Sequence, residues 1–291
     1  MTKIKHLVVI GTGLIGGSFA LALKRQGRVE RVTGVGRSRA NLEQALKLGI
    51  IDAIGEHAAA AVKDADLVLA AIPVGAMPAL FRELAETLPA GALLTDAGST
   101  KRDVIAAARA ALGGKIGQFI PGHPIAGAES NGAGAARAHL FKDKPVILTP
   151  QPENRAEDVD RIESLWAACG AHVACMNEAD HDRVFAAVSH LPHLAAFALM
   201  EELAERQDAD TFFRFAGSGF RDFTRIAGSH PEMWRDIALA NRDALLGELD
   251  AYIDKLEAIR GLIEARDGQA LEALFARARQ ARHNWIKGKH T

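Results

Sequence analysis

The chain has 291 residues, a formal net charge of −1, 48% hydrophobic and 24% charged residues. That length accommodates two domains around a large buried core, and the near-neutral balance gives no general electrostatic drive towards nucleic acid or an anionic membrane. Residues 1–6 show no signal-peptide h-region or cleavage site, and no uninterrupted apolar run reaches the roughly 18 residues of a membrane span, so a cytoplasmic protein with neither nucleic-acid nor membrane partners is expected. Cys169 and Cys175 do not make a C-x-x-C motif, which points to two reduced, half-buried thiols rather than a redox or zinc centre.

The first element is the apolar, β-branched run Leu7-Val8-Val9-Ile10, which reads as a buried parallel strand. It runs into Gly11-Thr12-Gly13-Leu14-Ile15-Gly16, the G-x-G-x-x-G pattern that turns a strand into a helix. Gly11 makes the turn, Gly13 admits a pyrophosphate to the backbone, and Gly16 lets helix and strand pack closely. The amides and positive dipole end of the next helix then face the pyrophosphate, which makes Gly11, Gly13, Leu14, Ile15 and Gly16 cofactor-binding candidates.

The second strand is expected over residues 31–35. About 20 residues beyond the glycines, where an acid binds the ribose 2′-hydroxyl of NAD, stands Gly36, followed by Arg37-Ser38-Arg39. Unit charges about 4 Å apart near a surface interact by roughly 4 kcal/mol before solvation costs. Arg37, with the Ser38 hydroxyl, therefore favours NADP, with NAD the alternative; otherwise this is a solvated basic turn.

A helix over 40–49 and a strand over 66–73 follow. The broken end of that strand, Ile72-Pro73, should flank the cofactor, because ligands lie outside the carboxyl ends of strands in such sheets. A helix over 76–87 and a strand over 93–96 lead to Ser99-Thr100-Lys101, where Ser99 or Thr100 is expected to cap the next helix. Strand ends are expected at 118–121, before Gly122-His123-Pro124, and strands at 145–150 and 172–176, separated by a polar helix over about 155–169. The alternation is that of an α/β doubly wound parallel sheet of Rossmann type. From residue 177 onwards the pattern is all helical, dividing a dinucleotide-binding domain, 1–176, from a helical substrate and dimerisation domain, 177–291. Leu245, Leu249, Tyr252, Leu256, Ile259 and Ile263 form an apolar stripe on a helix of about 24 residues. It packs either on a partner subunit or on neighbouring helices of the same chain.

Nicotinamide chemistry needs a base for the substrate hydroxyl and a cationic grip on carboxylates. His123 is the candidate base, with a reference pKa near 6.5, and Ser99 lies on the neighbouring strand-end loop. His190 and His193, three apart, lack a third ligand at zinc spacing and fit a substrate-gripping role, with no metal. Arg225, between Thr224 and Ile226, is expected in an apolar setting suited to bidentate carboxylate binding. Trp234 closes the pocket wall or belongs to the core.

Gly11-x-Gly13-x-x-Gly16, Asp96-x-x-Ser99-x-Lys101 and Gly122-His123-Pro124-Ile125-Ala126-Gly127-x-Glu129 are followed by His190-Leu191-Pro192-His193, Gly219-Phe220-x-Asp222-x-Thr224-Arg225-Ile226 and Trp234-x-Asp236. Together, and in this order, they resemble the prephenate/arogenate (cyclohexadienyl) dehydrogenase family over essentially the whole chain. The resemblance implies NAD(P)-dependent oxidative decarboxylation of prephenate or arogenate in tyrosine biosynthesis. It implies that His123 takes the C4 hydroxyl proton and Ser99 holds that hydroxyl. It also implies that Arg225 grips a substrate carboxylate, His193 contacts the substrate, Glu129 belongs to the active-site entrance, and the protein is a homodimer. Gly36-Arg37-Ser38 departs from NAD-preferring members, and Ser218 replaces a glycine that often precedes Gly219-Phe220. The competing readings are a β-hydroxyacid dehydrogenase, which would want a catalytic lysine on a helix of the second domain, and a non-enzymatic NADP sensor, which leaves His123, His193 and Arg225 without a purpose.

Overall fold

The computed structural model describes residues 3–127 and 130–288. They fall into two compact units, Met1–Arg242 and Asp243–Thr291.

In the first unit, β1 (Ile4–Ile10), α1 (Leu14–Arg25), β2 (Val29–Val35), α2 (Arg39–Lys47), β3 (Ala53–Ile54) and α3 (Ala58–Ala61) come first. They are followed by β4 (Leu67–Ala70), α4 (Met77–Leu84), β5 (Leu93–Asp96), α5 (Arg102–Leu112) and β6 (Phe119–Ile120). The strands make a six-stranded sheet in the order β3-β2-β1-β4-β5-β6, parallel throughout. Successive side chains of a strand point to opposite faces, and both faces are apolar. Leu7, Val9, Leu67 and Leu69 join Phe19 and Trp166 in one core, while Val8, Ile10, Val68 and Ala70 join Phe81 and Phe119 in the other. Strand order reverses between β1 and β4, so the loops after these two strands flank the switch-point crevice where such sheets bind ligands.

Residues 122–175 depart from a single doubly wound sheet. β7 (Gly122–Pro124), β8 (Pro145–Leu148) and β9 (His172–Cys175), with α6 (Ala156–Ala168) between the last two, form a separate sheet in the order β7-β8-β9. There β7 and β8 are antiparallel, and β8 and β9 parallel. Pro121 has no N–H with which to prolong the β6 ladder, so the chain leaves β5 at this residue and pairs with β8.

Among the described residues the elements after β9 are all helical: α7 (Glu178–Phe185), a π-helical turn at Ala186–His190, α8 (Leu191–Ala204), α9 (Ala209–Arg214), α10 (Ser218–Thr224) and α11 (Pro231–Ala240) come first. The continuous stretch Glu178–Ala204 has the length and apolar composition to cross a membrane, a feature masked in the sequence by its scattered polar residues. Its His181, Asp182 and His190 are buried in polar contacts with the rest of the unit, which builds it into this fold. Cys169 is buried, which pushes its thiol up to about 12. Cys175 is exposed, so neither thiol is half-buried as the sequence implied.

The second unit carries α12 (Arg242–Glu264) and α13 (Gly268–Gly288). Along the α12 stripe, Leu245 is buried, Leu249 and Ile259 are half-buried, and Tyr252, Leu256 and Ile263 are exposed.

Candidate active site

The glycine-rich turn shows why each glycine is needed. Gly11 has φ +98°, and a Cβ there would lie 2.1 Å from the Ala71 carbonyl oxygen. A Cβ on Gly16 would lie 2.1 Å from the Gly11 oxygen, whereas nothing stands within 4 Å of one on Gly13. The first and third glycines are thus held in close packing and the second faces open space at the start of α1, an arrangement that fits a pyrophosphate. Leu14 and Ile15 open the helix half-buried, and Ile72 and Pro73 stand half-buried beyond β4 on the other side of the switch point.

A residue unmarked by sequence reasoning ties this cradle down. The Asn41 amide donates to Thr12 O at 3.2 Å and Thr12 Oγ1 at 3.0 Å, and its oxygen accepts from Ala133 N at 2.7 Å. Its signal was present as the third residue after Ser38, the α2 cap, whose Oγ accepts from Asn41 N at 3.2 Å. Arg37 extends into solvent and lies 3.7 Å from Glu232, while Arg39 is taken up by Glu43 at 2.8 Å. An exposed pair like the first is worth little, so Arg37 can turn to another anion.

The end of β5 builds the catalytic side. Asp96 and Lys101 are fully buried and 2.5 Å apart. Asp96 accepts from Gly98 N at 2.8 Å and Gly122 N at 2.9 Å, and Lys101 Nζ donates to Gly122 O at 2.8 Å. This knot fixes the start of β7, and hence His123, at the carboxyl end of β5, which pairs with β4.

His123 is buried, and its Nδ1 lies 2.9 Å from His181 Nε2. His181 Nδ1 lies 2.8 Å from Asp182 Oδ1, and the Asp182 carboxylate accepts from Lys101 N at 2.8 Å and Arg102 N at 2.9 Å. Asp182 therefore caps α5; neither Ser99 nor Thr100 does so, because the α5 cap position falls at Lys101 and its amides are served from α7. Phe185 packs edge-on against the His123 ring at 4.9 Å. Burial, reinforced by the nearby His181, Lys101 and His190, holds the His123 imidazole well below its ordinary value and hence neutral.

Farther along, His193 is stacked on Trp234 with ring centroids 3.7 Å apart, and its Nδ1 lies 2.8 Å from Ser189 O. Trp234 is both core and stacking partner, since it is buried in the second apolar cluster. Arg225 begins the 3₁₀ turn Arg225–Gly228, against which α8 packs. Its charge helps burial hold the His193 imidazole down. It is exposed rather than set in an apolar environment, because α10 and its turn bury none of their residues. Ser99 is half-buried, with its backbone carbonyl towards His190. The His190 and His193 rings both lie against Trp234, with centroids 6.1 and 3.7 Å away, and Arg225 is near enough to His193 for its charge to act on that imidazole. Glu129 lies outside the described residues. Missed in the sequence were His181 and Asp182, whose adjacent imidazole and carboxylate were the one available signal; Asp96 and Lys101 were read as positions of one motif, without their buried pairing.

Comparison with known proteins agrees with this plan. The profile described as prephenate dehydrogenase, nucleotide-binding domain, matches residues 19–175, and the one described as prephenate dehydrogenase, dimerization domain, matches 177–277. The chain is 37% identical over 285 residues to a prephenate dehydrogenase of Bacillus subtilis (strain 168), covering 97% of this chain and 76% of that protein. It is 37% identical over 284 residues to a cyclohexadienyl dehydrogenase of Zymomonas mobilis subsp. mobilis, covering 97% and 96%. The crystal structure of prephenate dehydrogenase from A. aeolicus, in complex with hydroxyphenyl propionate and NAD+, superposes with a TM-score of 0.89 at 33% identity, covering 96% of this chain and 98% of that one. Two matched domains, the shared fold and identity over nearly the full length make this chain an oxidoreductase of the prephenate dehydrogenase family.

Proposed function

We propose that the site performs the NAD(P)-dependent oxidative decarboxylation of prephenate, arogenate or both, as a step of tyrosine biosynthesis in the cytoplasm. The observation that carries this reading is His123: buried, neutral, and held by the Asp96–Lys101 knot at the carboxyl end of β5, in the same sheet whose β1 leads into the glycine cradle. A nicotinamide bound in the crevice supplies the hydride acceptor. His123 removes the proton of the C4 hydroxyl, Ser99 holds that hydroxyl, and loss of CO2 makes the ring aromatic. Arg225 draws in a substrate carboxylate beside His193, with Trp234 backing the His193 ring. Glu129 belongs to the entrance. The chain's work is chiefly to orient the ring and relieve the hydroxyl of its proton.

NADP is the favoured cofactor. Gly36 presents no carboxylate to repel a 2′-phosphate, and Arg37 with Ser38 stands next to it. The functional boundary lies at 176/177, where the strands end. The helical region pairs two copies into a homodimer, a reading supported by the description of the matched profile and by the exposed apolar positions of α12.

The test is His123→Asn, assayed with both substrates and both cofactors. Turnover should fall about 100-fold or more, the usual scale for a general base, with dinucleotide affinity nearly intact. Unchanged turnover with prephenate and arogenate sinks the assignment.

A further inference from the structure

We propose that His181 and Asp182 form a positioning relay that fixes the tautomer of His123, committing its proton to Nδ1 and presenting Nε2 as the lone-pair nitrogen. This rests on the reading of His123 as the base and adds two residues to it.

The direction of each hydrogen bond follows from its fixed end. Asp182 receives the Lys101 and Arg102 amides at 2.8 and 2.9 Å, at the N-terminus of an 11-residue helix whose dipole favours an anion there. Burial pushes the Asp182 carboxyl up, but the His181 contact and these two amides outweigh it and leave the group below its ordinary value, an acceptor only. The ring nitrogen facing it, His181 Nδ1 at 2.8 Å, therefore carries a proton.

Burial then decides the other nitrogen. It holds the His181 imidazole below its ordinary value against the pull of Asp182, so the ring is neutral and its Nε2 carries a lone pair. His123 Nδ1, 2.9 Å away, must donate to it, which leaves Nε2 of His123 to take a proton. The groups facing this pair are Asp182, Asp96, Lys101 and His190. As the C4 hydroxyl proton reaches His123 Nε2, the ring becomes imidazolium, and its Nδ1–H keeps donating towards the His181–Asp182 arm. His181 does not touch the substrate in this scheme; it acts through His123.

The experiment is imidazole nitrogen NMR of the full-length protein, with kinetics, for the parent, His181→Gln and His181→Leu. The parent should show His123 as the Nδ1–H tautomer. Glutamine keeps an oxygen acceptor for that proton, whereas leucine removes it. His181→Leu should lose the Nδ1–H commitment and at least about 100-fold in kcat, the lower end of what a general base contributes and short of the roughly 10⁴-fold that a wrong tautomer with intact geometry can cost. His181→Gln should retain the Nδ1–H tautomer and recover at least about tenfold over leucine. An Nε2–H tautomer in the parent overturns the relay even if the variants fail to fold. So does equal turnover of the leucine and glutamine variants at matched thermal stability. The base reading fails separately: His123→Asn would then retain full turnover while the parent's His123 still reads as Nδ1–H.

Discussion

Lys101 Nζ lies 2.5 Å from Asp96 Oδ2, and both side chains are completely shielded from solvent. Taken alone, such a pair adds little to stability, because desolvation offsets its Coulomb attraction. Its value lies in what it holds, since both partners also bond the backbone of Gly122, one residue before His123. Lys101→Met leaves Asp96 buried without its cation, which should cost about 3–5 kcal/mol. Urea unfolding of parent and variant measures this loss. A cost below about 1 kcal/mol, the range of an exposed ion pair, would show that the knot does not hold the site.

Acid should loosen the same region. Burial, opposed by Asp182, pushes His190 down to about 4, against about 6.5 in the unfolded chain. Between those values the unfolded state binds a proton that the folded state refuses. The contribution, about 3 kcal/mol, is therefore present above pH about 6.5 and is lost as the pH falls towards about 4. His123 and His181 are shifted in the same direction and steepen the decline. Urea midpoints measured from pH 7.5 to 4.5 should fall steadily in the parent and less steeply in His190→Gln. Parallel slopes would exclude His190 as a contributor.

Cofactor choice is open to direct manipulation. A Cβ added at Gly36 would find its nearest neighbour, Leu42 Cδ2, at an ordinary 3.7 Å, so Gly36→Asp fits without rearrangement. The new carboxylate accepts from a ribose 2′-hydroxyl and repels a 2′-phosphate. The ratio of kcat/KM for NADP over NAD should drop at least about tenfold, which needs only about 1.4 kcal/mol of the roughly 4 kcal/mol available between charges 4 Å apart. Arg37→Ala should lower the ratio from the other side; an unchanged ratio makes Arg37 a bystander.

The parallel sheet was legible because its strands, buried on both faces, read as continuous apolar runs, and because Gly11, Gly13 and Gly16 punctuate the first of them. Ser99 and Arg225 were harder. A hydroxyl before a helix looks like a cap, yet the amides at the start of α5 are served by Asp182, about 80 residues away in sequence. No local pattern encodes so distant a partner. Arg225 between Thr224 and Ile226 suggests an apolar setting, but α10 and its turn are short and bury none of their residues. The separate β7-β8-β9 sheet was hidden because β7, Gly122–Pro124, is too short and too polar to read as a strand, while β8 carries the same kind of apolar run as the main sheet, and only Pro121 marks the break.

The α12 stripe supplies a last test. Tyr252, Leu256 and Ile263 repeat at helical spacing and are all exposed, at 38%, 47% and 59%. Such a stripe on a long helix is the pattern that buries against a second helix. In a two-fold symmetric dimer each substitution acts twice, so Leu256→Glu places two carboxylates in one apolar contact. Every 1.4 kcal/mol of that penalty raises the dissociation constant about tenfold. The variant should sediment as a monomer at concentrations where the parent is a dimer, and its melting temperature should lose the concentration dependence that association imposes. A variant that sediments like the parent would remove α12 from the interface.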